Sequence, residues 1–112
     1  MTVDKIYTNI GQAIAGAIDD NNWTKAKLDI EIVGDGVVGY TGDYHVDNAT
    51  VDLSVRKIPR EIRSWLKELH GITTAGGNNK WNRAIFSLQP GGKFDMEFIW
   101  DQALHDQIEN LS

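Results

Sequence analysis

The chain of 112 residues contains no cysteine, which excludes disulfides, thiolate metal sites and a cysteine nucleophile. No apolar run approaches the roughly 20 residues that span a bilayer. The N-terminal Met1-Thr2-Val3-Asp4-Lys5 lacks the basic region and apolar stretch of a signal peptide, so cytoplasmic residence is the expectation. On that expectation the sequons Asn48-Ala49-Thr50 and Asn110-Leu111-Ser112 never meet the glycosylation machinery. Serine is scarce, and none of Ser54, Ser64, Ser87 and Ser112 sits in a nucleophile-elbow context. Positive charge is also short. Eleven Lys and Arg against sixteen Asp and Glu leave a net charge of −5, the wrong sign for a general nucleic-acid binder. That balance suits a basic partner, although mild acidity also serves plain solubility.

What remains is the composition of an ordinary globular protein, 41% hydrophobic and 24% charged, at a length that makes one domain over residues 1–112. Ile6, Ile10, Ile14, Ala17 and Ile18 share one face of a helix over 3–19, with Thr2 as its N-cap. Leu28, Ile30 and Ile32 alternate with polar residues as a half-buried strand, and Gly34-Asp35-Gly36 turns the chain back. A second strand spans about 37–46, where Gly39 or Gly42 would mark a bulge. Val51, Leu53 and Val55 define a third. A helix follows over 58–70, with Pro59 in its first turn and Ile62, Trp65, Leu66 and Leu69 on its apolar face. Residues 73–80 form a polar, glycine-rich loop.

The most regular pattern comes last. Ala84, Phe86 and Leu88, then Phe94, Met96, Phe98 and Trp100, recur with period two around Pro90-Gly91-Gly92, the signature of a hairpin with one buried face. A terminal helix over 103–111 is capped by Asp101. The element order α-β-β-β-α-β-β-α implies an α+β fold, an antiparallel sheet of about five strands with helices on one face.

Several residue groups invite a chemical reading. Gly34-Asp35-Gly36-Val37-Val38-Gly39 matches G-x-G-x-x-G, but a strand follows where dinucleotide binding requires a helix. Asp43, His45 and Asp47 alternate along one strand, short of a converging ligand set; His70 and His105 fall in separate helices. A small metal- or ligand-binding, enzyme-like domain built on that strand is one alternative. Residues 56–67 hold five bases, Arg56, Lys57, Arg60, Arg63 and Lys67, against the single acid Glu61. That local charge of +4 contrasts with −9 for the rest. The stripe reads as a solvated helix face balanced by neighbouring acids, or as the contact of a nucleic-acid adaptor. Asp29, Glu31, Asp52, Asp95 and Glu97 occupy the outward phase of their strands. In one sheet they would cluster on its exposed face, where they would either be simply solvated or imitate the phosphates that a nuclease's basic groove binds.

The helix, tryptophan, strand meander, central helix and closing hairpin, with the pattern F-x-L-x-P-x-G-K-F-x-x-x-F-x-x-D from Phe86 to Asp101, resemble the YezG-like immunity proteins over nearly the whole chain. These are bacterial antitoxins encoded beside polymorphic or contact-dependent growth inhibition toxins, which they block by binding. The resemblance implies a non-catalytic toxin inhibitor without cofactor or metal, acting through protein–protein interaction with a cognate toxin domain, a basic nuclease being the expected partner. It supplies no contact residues. Those follow from strand phase and residue type: Asp29, Glu31, Asp52, Asp95 and Glu97, with Tyr40, Tyr44 and Trp81 as aromatic anchors at the rim.

Overall fold

The computed structural model describes residues 1–34, 36–77 and 79–111. Asp35, the middle residue of the first turn and of the glycine-rich match, lies outside the described residues, as do Asn78 of the polar loop and Ser112 of the second sequon. The elements run α1 (Val3–Gly16), β1 (Trp23–Val33), β2 (Val37–Val46), β3 (Ala49–Asp52), α2 (Ile62–Thr73), β4 (Arg83–Leu88), β5 (Phe94–Ile99) and α3 (Gln102–Glu109). All five strands form one antiparallel sheet in the order β3-β2-β1-β4-β5, and the helices pack on one face, as the element order requires.

Thr2 caps α1 by accepting the Lys5 N–H at 3.2 Å, and the helix buries Ile6, Ile10 and Ile14. It crosses β4, where the Tyr7 ring centroid sits 6.5 Å from Phe86 and 5.4 Å from Phe94. Helix α2 buries Ile62, Leu66 and Leu69. Both helices rest on the inward phase of the central strands, Ala26, Leu28, Ile30 and Ile32 from β1 and Ala84, Phe86 and Leu88 from β4, in a single core.

Differences from the sequence reading have local causes. No register shift occurs along β2 opposite β1 between Val37 and His45; the irregularity lies at Trp23 and Lys25. Gly42 marks a close approach instead of a bulge, because a Cβ there would lie 2.7 Å from Leu53 Cδ1 and 2.8 Å from the Lys27 carbonyl oxygen. The third strand ends at Asp52. Leu53 then turns under the sheet into the core, and Val55 begins a 3-10 turn and is half exposed. Helix α2 starts at Ile62, so Pro59 precedes it, its carbonyl accepting the Ile62 N–H.

The closing hairpin keeps its phase, and Gly91 and Gly92 supply the positive φ values, 103° and 92°, that its turn demands. Its second strand is less covered than the alternation implies. Phe94 remains 46% exposed and Phe98 37%, because β5 lies at the sheet edge, where the helices cover it only in part. Trp100 lies outside the strand, packed against His105.

A candidate partner-binding face

The face of the sheet opposite the helices is assembled by register. One row runs across all five strands through Asp52, Asp43, Lys27, Ser87 and Asp95. The next holds Thr41, Asp29, Ile85 and Glu97, and a third holds Gly39, Glu31, Arg83 and Ile99. Asp29, Glu31, Asp52, Asp95 and Glu97 therefore share one face. Asp43 joins them, an acid that the period-two signal of β2 carried but that grouping with His45 and Asp47 obscured. Opposite Asp43 on β3 stands Asp52, a like-charged cross-strand pair that lowers local sheet stability.

Cations interrupt this surface at Lys25, which stands opposite His45, and at two further points. Lys27 lies 3.9 Å from Asp29. Arg83 spans three elements: its Nη1 donates to Glu31 at 3.1 Å and its Nε to Asp101 at 2.7 Å. The Asp101 bond, aided by Glu31, raises the Arg83 pKa above its ordinary value despite the opposing effect of partial burial. Asp101 moves the other way. Its carboxylate accepts the Leu104 N–H at 3.0 Å as the α3 cap, and this bond, then Arg83, holds its pKa below the usual carboxylate value. Asn82, a buried polar side chain, completes the assembly by exchanging two hydrogen bonds with the Asp101 backbone, at 2.9 and 2.8 Å. The chain pattern gives no hint of that clamp, since a lone asparagine before a strand reads as a turn residue. Asp29, Asp43, Asp52, Asp95 and Glu97 keep their carboxylates at a surface where Ile85 and Ile99 are the half-buried apolar positions.

The three aromatic residues assigned to the rim lie elsewhere. Tyr40 and Tyr44 pair with Ile30 and Ala26, so their rings sit on the helix side and pack partly into the core. Trp81 is 1% exposed. Its Nε1 donates to Thr73 Oγ1 at 2.7 Å, its carbonyl accepts from His70 Nε2 at 2.9 Å, and its ring lies 4.9 Å from that of Phe98. A full indole buried among core neighbours cannot anchor a partner at the surface.

The other groups separate by position. Asp43 and His45 share the outward phase of β2, but Asp47 follows the strand in a turn at φ 53°, and no cluster of three or more acidic or histidine side chains suited to a metal ion occurs among the described residues. His70 and His105, from different helices, line one small cavity of about 160 Å³ with Trp81 and Trp100. In the basic stripe, Lys57 pairs with Asp19. Arg63 lies over the Tyr40 ring at 5.3 Å, and Arg56, Arg60 and Arg63 border a groove beside it. No ion pair balances Arg56, Arg60, Arg63 or Lys67 among the described residues. Among the described residues no helix is long and apolar enough to cross a membrane. Compared with known proteins, the chain matches no family model, and no curated protein is significantly similar to it.

Proposed function

We propose that this protein is a cytoplasmic immunity protein that binds a cognate bacterial toxin domain and occludes it, with no chemistry of its own. The observation that carries the reading is the acid-rich sheet face, where Asp29, Glu31, Asp43, Asp52, Asp95 and Glu97 spread over four strands of one sheet. A fixed array of carboxylates complements a basic groove, speeds encounter with it and rejects acidic partners. A nuclease domain presents such a groove, and the likeness to YezG-like immunity proteins supplies the biological setting. The test is co-purification with the toxin encoded beside this gene, together with protection of cells expressing that toxin. A stable complex and rescued growth are expected. Separate migration with no rescue sinks the reading.

A second reading has one observation in its favour, the unpaired Arg56, Arg60 and Arg63 gathered around Tyr40. A nucleic-acid adaptor would use this groove, cations on phosphate and the ring for stacking. Binding to single-stranded RNA that weakens steeply with salt favours it, and no binding at physiological salt removes it.

A further inference from the structure

The outer edge of β5 is an open strand with a definite chemical preference. Gln89 N–H donates to the Lys93 carbonyl at 2.8 Å, which fixes the odd-numbered residues of β5 as the ones bonded to β4. Alternation along an antiparallel ladder then turns the backbone N–H and C=O of Phe94, Met96 and Phe98 toward the free edge. The same three residues point their side chains to the helix side, where Phe94 and Phe98 stay exposed and Met96 half-buried. At one end of this strip a groove of about 440 Å³ opens between α1 and the hairpin, lined by Tyr7, Gly11, Phe86, Leu88 and Phe94. Asp95 and Glu97 occupy the opposite face, exposed to solvent.

Edges of this kind are usually blunted by proline, lysine, a bulge or short length. The other edge, β3, is four residues long. β5 has six residues without proline, lysine or bulge, and its blunting rests on the two acids Asp95 and Glu97 alone. Charge nonetheless disfavours one occupant, a second copy of this chain. Only residues with edge-facing backbone groups can pair, so the antiparallel registers that align five residues set Met96 against Met96 or Glu97 against Glu97. The first places Asp95 opposite Glu97 twice, and the second opposes two glutamates. Like charges directly opposite destabilise a pair of strands.

We propose that β5 is the docking edge for a strand of the partner protein, one that alternates apolar residues with lysine or arginine. Its apolar phase covers Phe94, Met96 and Phe98 on the helix side. Its basic phase faces Asp95 and Glu97, and main-chain hydrogen bonds extend the sheet to a sixth strand. The inference rests on the toxin-binding reading and deepens it by assigning the segment of the toxin that engages and the place where it does so.

The experiment uses the full chain and the catalytically inactivated toxin domain encoded beside it. Amide exchange of Phe94, Met96 and Phe98 is expected to be fast in the free protein and strongly slowed in the complex. Met96→Pro removes one edge-facing N–H that β4 does not use, a change edge strands tolerate, and should weaken the complex by about tenfold or more. The double variant Asp95→Lys, Glu97→Lys should weaken it by a similar factor and serves even if the proline variant fails to fold. Asp52→Asn, on the far edge of the same face, should weaken it by less than either β5 variant does. An unprotected edge in a complex that still forms, or Asp52→Asn outweighing both β5 variants, overturns edge docking and leaves the immunity reading standing. A free protein that is already dimeric with a protected edge also overturns it. If the wild-type chain does not bind the toxin at all, the immunity reading falls and takes this inference with it.

Discussion

A side chain at Gly42 has no space, since a Cβ would press on Leu53 Cδ1 and on the Lys27 carbonyl. Gly42→Ala should therefore cost about 1–3 kcal/mol by overpacking, read as a lower denaturation midpoint at unchanged slope. Trp81→Ala should cost about 3–5 kcal/mol, because it empties the space among His70, Thr73 and Phe98 as well as breaking the indole hydrogen bond. Asp101 sets a pH dependence. Its pKa is lowered in the folded protein by the Leu104 N–H and by Arg83, so its contribution is complete above the ordinary aspartate value and is lost as pH falls through the folded one. Melting temperature followed from pH 6 down to pH 2 should fall less steeply in Asp101→Asn than in the wild type. At this scale the sequence was a partial guide. Asp101 and Thr2 were legible as caps, because a cap is a local motif. The burial of Trp81 was not, since it depends on α2 and β5 arriving from distant parts of the chain.

Among the elements, those with strict periodicity were readable and those ended by tertiary contacts were not. The alternation of Leu28, Ile30 and Ile32, and that of Phe86 through Phe98, gave strands whose phase the sheet retains. Period two also brought Asp29, Glu31, Asp52, Asp95 and Glu97 to one face, because phase survives any arrangement of strands within a sheet. Val55 shows the limit. It continues the alternation of Val51 and Leu53, yet Leu53 dives under β2 and the strand stops. Similarly, nothing in the alternation of β5 distinguishes a strand under a helix from one at an edge, which is why the exposure of Phe94 and Phe98 was invisible. The hairpin turn carries a prediction of its own. Gly92→Ala places a side chain at φ 92°, costing about 1–2 kcal/mol, measurable as a drop in melting temperature with the core contacts left intact.

Over the whole molecule the sheet does not sort the charges, since Lys25, Lys27 and Arg83 lie on the outer face and Asp4, Glu61, Glu68 and Asp106 on the helices or their caps. Six acids share the outer face with those cations, while Arg56, Arg60, Arg63 and Lys67 gather on the helix side around Tyr40 and Gly36. If the acidic face meets the toxin, the association rate should fall as ionic strength rises, with the dissociation rate nearly constant. Replacing Arg60, Arg63 and Lys67 by glutamine should leave toxin affinity within about twofold of the wild type, since these cations face away from the contact. Stopped-flow association at graded salt measures both effects.

The Asn82 clamp also imposes an order of assembly. Asp101 caps α3 within its own turn, but Asn82 and Arg83 hold it there only once β4 and β5 have zipped. The clamped helix is therefore expected to form on the downhill side of the folding barrier. Weakening its cap should quicken unfolding and leave refolding untouched, so this short helix governs how long the native state lasts more than how fast it is reached.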